Sequence, residues 1–232
     1  RRKNQKIILE KMKPIPKKAG VFKQNIQTGR IEEFSLNDLQ HWNGVLVSAI
    51  SGVGKSELVK ALTDGRNTLV YSPKGSEDFP NGQHFSEQAI RDINAFIDNY
   101  KNIKEETIIV IDEILTFITI AEKMDKNLLD KVSTNLTLNR SSNLKFIIIT
   151  QKLNRSSKLD LSLLNYKIIN DPSVALYEQS LGIKPKTNMI GLTRGEFVLF
   201  NEGQEYIIKN NLSKNRKQEL KDKEKNRSVK RS

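Results

Sequence analysis

Ala49-Ile50-Ser51-Gly52-Val53-Gly54-Lys55-Ser56 is the stretch on which the reading of this chain turns. An apolar run, Val45 to Ile50, leads into it, and Glu57-Leu58-Val59-Lys60-Ala61-Leu62 follows as the start of a helix. The order strand, glycine-rich loop, Lys-Ser, helix is the nucleotide-binding P-loop pattern, with Ala49 in place of its first glycine. Small residues let consecutive backbone N–H groups turn inward around phosphate oxygens at the positive end of a helix dipole. Ser51, Gly52, Val53, Gly54, Lys55, Ser56 and Glu57 are therefore the expected ATP-binding residues. Lys55 is expected to reach the β- and γ-phosphates, and Ser56 to offer its hydroxyl to Mg²⁺. A glycine-rich turn between any strand and helix gives a similar string, but here both flanking elements are present.

Working outward, Thr68 to Tyr71, Thr107 to Ile111 and Lys145 to Thr150 are further short runs rich in Val, Ile and Leu. Such runs read as strands buried on both faces of a parallel sheet. Ser86 to Tyr100 carries Ala89, Ile90, Ile93, Phe96 and Ile97 at helical spacing behind Ser86 as N-cap, and Asp125 to Leu138 carries Leu128, Leu129, Val132 and Leu136 likewise. Phe197 to Phe200 and Glu205 to Ile208 read as a late hairpin at the sheet edge. The fold class is α/β with a mostly parallel sheet flanked by helices.

The strand Ile108-Ile109-Val110-Ile111 delivers Asp112-Glu113 at its carboxyl end, and Phe146-Ile147-Ile148-Ile149 delivers Thr150-Gln151. In an open parallel sheet these ends share the ligand-binding edge. Asp112 is expected to hold Mg²⁺ through water, Glu113 to polarise the water that attacks the γ-phosphate, and Gln151 to orient it or sense the phosphate. An acidic N-cap after a strand and a polar strand end are the plainer readings of the same residues.

Composition sets the frame. The chain has 232 residues, a formal net charge of +12, 37% hydrophobic residues and no cysteine. Disulfide scaffolds, Cys-ligated zinc, iron–sulfur clusters and thiol nucleophiles are excluded. His41 and His84 are too few and too separated in sequence to suggest a metal site. No apolar run approaches the roughly 20 residues of a bilayer-spanning helix, so no membrane-spanning segment is expected. Residues 1–23 carry a net +8 and residues 209–232 a net +7, which leaves the middle slightly acidic. The expected organisation is a basic N-terminal segment over 1–35, a P-loop ATPase domain over 36–208 and a basic tail over 209–232. Basic ends are either solvated or lie along phosphate backbones, with double-stranded DNA the first partner to consider.

The residues resemble the FtsK/HerA superfamily of DNA-translocating P-loop ATPases. The P-loop, Asp112-Glu113 and Thr150-Gln151 carry that resemblance, together with Tyr71-Ser72-Pro73-Lys74-Gly75 and Leu192-Thr193-Arg194-Gly195-Glu196-Phe197. The fourth is similar to the "DPKG" segment of those motors, with Ser72 for the usual Asp. The fifth is similar to their "L-x-x-G-x-F" strand start. The resemblance implies a RecA-like fold and a homo-hexameric ring in which a neighbour's arginine completes each site. Arg140, eleven residues before Gln151, fits the spacing of that finger, with Arg155 second. A motor reduced to its ATPase core is most similar to the genome-packaging ATPases of tailless double-stranded DNA viruses. That implies a capsid or portal partner and a place in the host cytoplasm or on the virion. A plasmid or conjugation-type translocase, a filamentous-phage assembly or secretion ATPase, and an ATP-holding module remain alternatives. Two placements stay open in the sequence: Trp42 stacks on adenine or packs in the core, and the stretch 75 to 85 is a DNA-gripping loop or a plain connection.

Overall fold

Six parallel strands form the spine of the computed structural model, which describes residues 18–75, 79–125, 127–138, 142–151, 159–201 and 203–212. The P-loop strand β3 (Gly44–Ala49) lies between β7 (Leu144–Thr150) and β8 (Tyr166–Asn170). Beyond β7 come β6 (Thr107–Asp112), β4 (Thr68–Ser72) and β5 (Gly82–His84). On the other side, β8 is followed by four strands in antiparallel array: β9 (Glu196–Asn201), β10 (Gln204–Asn211), β1 (Gly20–Asn25) and β2 (Ile31–Glu33).

Helices cover both faces because both faces are apolar. Val45, Val47, Ile108, Val110, Ile147 and Ile149 face α1 (Lys55–Thr63), which contributes Leu58, Val59 and Leu62. The alternate residues Leu46, Ile109, Ile111, Phe146 and Ile148 face the other layer. That layer holds α2 (Glu87–Asp98), α3 (Ile114–Met124) and α4 (Leu128–Leu138). A single-residue slip in any of these strands would exchange the two sets, so the pattern fixes the register. The fifth helix, α5 (Val174–Leu181), follows β8 and ends at Gly182 in the left-handed conformation, the usual helix stop.

The expected α/β, RecA-like architecture is what the chain adopts, with corrections at its margins. The late hairpin is β9–β10, but it lies inside the sheet, because β1 and β2 extend the sheet beyond it. Gly20 pairs with Asn211 and Asn25 with Tyr206. The boundary drawn at 35/36 therefore cuts through the sheet, since residues 20–33 belong to it, and β10 continues past 208 to Asn211. The outer basic stretches, 1–17 and 213–232, lie outside the described residues. Ser86 is the N-cap of α2, its hydroxyl accepting from Ala89 N at 3.1 Å. No helix among the described residues is long and apolar enough to cross a membrane.

Candidate nucleotide-binding and hydrolysis site

The strand order decides which chain ends meet. β7 separates the P-loop strand from the Asp-Glu strand, with Ser48 opposite Thr150 and Ile149 opposite Asp112. The carboxyl edge thus presents the P-loop, Gln151 and Asp112-Glu113 in a row, as the sequence placed them. Gln151 is exposed just past the end of β7.

Gly52 and Gly54 have φ of +84° and +100°, a region that strains any residue with a Cβ. A Cβ added at Gly52 would meet no atom within 4 Å, so the loop is open on that side, as a phosphate cradle must be. Ala49 substitutes for a glycine without difficulty because it is still in β3, extended and paired with Asn170. Lys55 opens α1 and is only 8% exposed. Its Nζ donates to Ala49 O at 2.7 Å and Ile50 O at 3.0 Å, so it lies across its own loop. Burial lowers the Lys55 pKa, while Asp112 and Glu113 pull it back up and Lys74 adds repulsion. Ser56 is the second residue of α1, half-buried, and Glu57 pairs with Lys60 at 2.8 Å.

Glu113 carries the clearest mark of a working residue. It is a non-glycine residue with φ +63° and ψ +71°, the N-cap of α3. Left-handed backbone at a non-glycine residue costs on the order of 1–3 kcal/mol and persists where the surroundings enforce it. The enforcement comes from β6 behind it and from α3 ahead, whose Ile114, Phe117, Ile118 and Ala121 are buried. Burial raises the Glu113 pKa, with Lys55 opposing. A carboxylate raised toward neutral pH is better matched to accepting a proton than an ordinary glutamate.

Behind the P-loop stands a shelf that sequence reasoning did not find. Asn170, at the end of β8, accepts from Ile50 N at 3.3 Å and donates through Nδ2 to Glu196 O at 2.7 Å. Gly195 N donates to Val53 O at 2.8 Å, and Asn210 N to Gly195 O at 2.8 Å. The segment similar to "L-x-x-G-x-F" therefore braces the loop and ties it to β10. The signal in the sequence was weak, because Lys167 interrupts the apolar run of β8.

Other expectations separate cleanly. Trp42 is a core residue, 4% exposed, at the start of β3. That start lies about 20 Å of extended strand from the P-loop, so the adenine placement is overturned and packing stands. Lys145 Nζ caps it, 2.6 Å from Trp42 O. Within the stretch 75 to 85, Gly82–His84 is the edge strand β5, not a free loop. Arg140 and Arg155 lie outside the described residues.

With the fold and the site in view, comparison with known proteins places the chain. The model of the ATPase family associated with various cellular activities (AAA) matches residues 45–169, more than half of the sequence, and the chain belongs to that family. It is an ATPase domain with an ATP-binding fold. No curated protein matches its sequence. Among solved structures, the pCW3 conjugation coupling protein TcpA with ATPγS is similar at a TM-score of 0.60 and 15% identity, over 84% of this chain and 66% of that one. The cytoplasmic domain of the type VII secretion ATPase EccC of Thermomonospora curvata is similar at 0.57 and 11% identity, over 87% and 29%. The genome-packaging NTPase B204 of Sulfolobus turreted icosahedral virus 2 with ATPγS is similar at 0.51 and 14% identity, over 75% of this chain and 100% of that one. The chain thus spans less than two thirds of the first two and the whole of the third. At the level of the fold, these neighbours agree with the FtsK/HerA resemblance of the sequence.

Proposed function

We propose that this ATPase is a motor that translocates double-stranded DNA, and that it serves viral genome packaging. The observation that carries the motor reading is Glu113, held in left-handed backbone one residue past Asp112 and electrostatically coupled to Lys55. A module that only held ATP would have no use for a strained base. The packaging assignment is supported by the match to B204 over that protein's full length and by the basic ends of an otherwise slightly acidic chain. The higher TM-score with TcpA favours a conjugation-type translocase as the second reading.

The residues divide the chemistry as follows. The N–H groups of residues 51–57 cradle the phosphates, and Lys55 leaves its own carbonyls to pair with the β- and γ-oxygens. The open side of Gly52, and Ser56 next in sequence to a lysine that Asp112 acts upon, suit Mg²⁺, which would be held by Ser56 and Asp112 and would supply charge neutralisation. Glu113 takes the proton of a water whose oxygen bonds the γ-phosphorus as the bond to the ADP oxygen breaks. Gln151 orients that water, and Arg140 or Arg155 of a neighbouring copy pairs with the spreading charge in a hexameric ring. The setting is the host cytoplasm or the virion, with a capsid or portal protein receiving the DNA.

Steady-state ATP hydrolysis, with and without double-stranded DNA at low and moderate salt, tests the proposal. Stimulation by DNA that weakens as salt rises is expected, since counterion release drives backbone binding. Hydrolysis indifferent to DNA would overturn the DNA motor and favour a protein-moving ATPase.

A further inference from the structure

The segment Ser72-Pro73-Lys74-Gly75 has no part in the mechanism above, yet it stands at the same sheet edge. Tyr71 pairs with Ile111, so Ser72 and Asp112 close neighbouring strands one residue past a shared pair. The turn beyond Ser72 is tightly built. The buried Ser72 hydroxyl accepts from Lys74 N at 3.1 Å, and His84 Nδ1 donates to Pro73 O at 3.0 Å. Gly75 has φ +55° and lies so close to His84 that a Cβ there would sit 2.6 Å from its ring. Gly82 packs on Gly75 O in turn, and buried Phe79 joins Leu58, Val59 and Leu62 of α1, with Lys60 Nζ 5.4 Å from its ring. The turn is thus pinned to the edge strand on one side, and the segment that follows it to the P-loop helix on the other.

Such pinning fixes where the one charged side chain of the turn is carried. Lys74 is an exposed residue two positions past the end of β4, the strand paired with β6, and its charge acts repulsively on Lys55. Two lysines carried on one sheet edge are both stabilised by an anion bound between them, and more so by one of higher charge. Lys55 opens the helix after the P-loop and Lys74 follows β4, so the two stand on opposite sides of the Asp112-Glu113 strand along the sheet edge.

We propose that Lys74 is a nucleotide-binding residue that contacts the γ-phosphate, so that the site distinguishes a nucleoside triphosphate from a diphosphate. This rests on the ATPase reading of the same site and adds the residue that reads the state of the nucleotide. A charge-assisted contact made by one state alone shifts relative affinity by about tenfold.

The test is equilibrium binding of fluorescent mant-ATPγS and mant-ADP, with Mg²⁺, to the full chain and to the Lys74→Gln, Lys74→Arg and Lys55→Ala variants. Lys74→Gln is expected to weaken mant-ATPγS about tenfold and mant-ADP less than twofold, with Lys74→Arg restoring most of the difference. Equal weakening of both nucleotides, or of neither, would overturn the assignment while leaving the ATPase intact. Failure of the unmodified chain to bind either nucleotide would instead remove the ATPase reading beneath it. Lys55→Ala, which is expected to lose both, marks the difference between gripping a nucleotide and reading its terminal phosphate.

Discussion

The two ends of the parallel sheet make an instructive pair, because each buries a lysine against two backbone carbonyls. At the carboxyl end Lys55 donates to Ala49 O and Ile50 O; at the amino end Lys167 donates to Ser162 O and Leu164 O. Burial lowers the pKa of both. The amino end even has a cavity of about 630 Å³, lined by Lys167, Lys184, Lys186 and Glu205 among others. Its left-handed glycines, Gly182 and Gly203, close a helix and a hairpin, not a loop from strand to helix. What sets the carboxyl end apart is the conjunction of an open glycine loop, two carboxylates coupled to the lysine, and a strained glutamate. A buried lysine or a cavity alone marks nothing; a lysine and carboxylates that burial perturbs and that interact with one another in one place mark a site.

The contrast is most open to attack at the lysines themselves. Lys55→Ala is expected to lower ATP turnover at least about 100-fold, while Lys167→Met leaves it within about twofold, both read by steady-state phosphate release. Equal losses would mean that the two ends do not differ as described. Next in size, Glu113→Gln should reduce kcat by about 10²–10⁴ with ATP binding preserved. Because burial raises the Glu113 pKa, the acid limb of wild-type turnover should fall above the ordinary glutamate range, and pH profiles of the two proteins will show whether that limb disappears with the carboxylate.

Smaller effects sharpen the comparison. Gly54→Ala, at φ +100°, should destabilise by about 1–3 kcal/mol and weaken ATP binding. Gly182→Ala, at φ +65° with open space around it, should cost about 1 kcal/mol and leave binding alone; thermal melts with and without nucleotide separate the two. The smallest expected signal is the alkaline stability of Lys167→Met. A lysine with a lowered folded pKa binds fewer protons in the native state, so its contribution to stability rises as pH climbs through that pKa toward the unfolded value. The variant should lose that rise, and chemical denaturation at several alkaline pH values will reveal it.

The residues with chemistry were legible because phosphate binding demands a rigid local string, and because apolar runs deliver Asp112, Glu113 and Gln151 to one edge. Less visible was α3, whose sequence Ile-Leu-Thr-Phe-Ile-Thr-Ile is apolar on too many sides to show a stripe. β1 and β2 escaped because each is short of apolar residues, Val21 and Phe22 in one and Ile31 in the other, and the ion pairs Lys23–Glu32 and Lys18–Glu33 exist only once the chain segments meet. Trp42 could have been placed from the sequence, since it precedes the strand that the loop follows. The Asn170–Gly195 brace joins residues far apart in sequence, and the positive φ of Glu113 has no signature in its neighbours.

The pairing of Gly20 with Asn211 has a practical corollary. Both strands meet the P-loop edge at those residues, and Asn210 is one hydrogen bond from Gly195, itself one bond from Val53. Whatever precedes residue 18 and follows residue 212 starts from the same corner of the fold. A fluorophore placed at Lys18 or Leu212 would therefore sit at the P-loop edge of the sheet, and a donor and acceptor on the two would give a ruler across that corner during turnover.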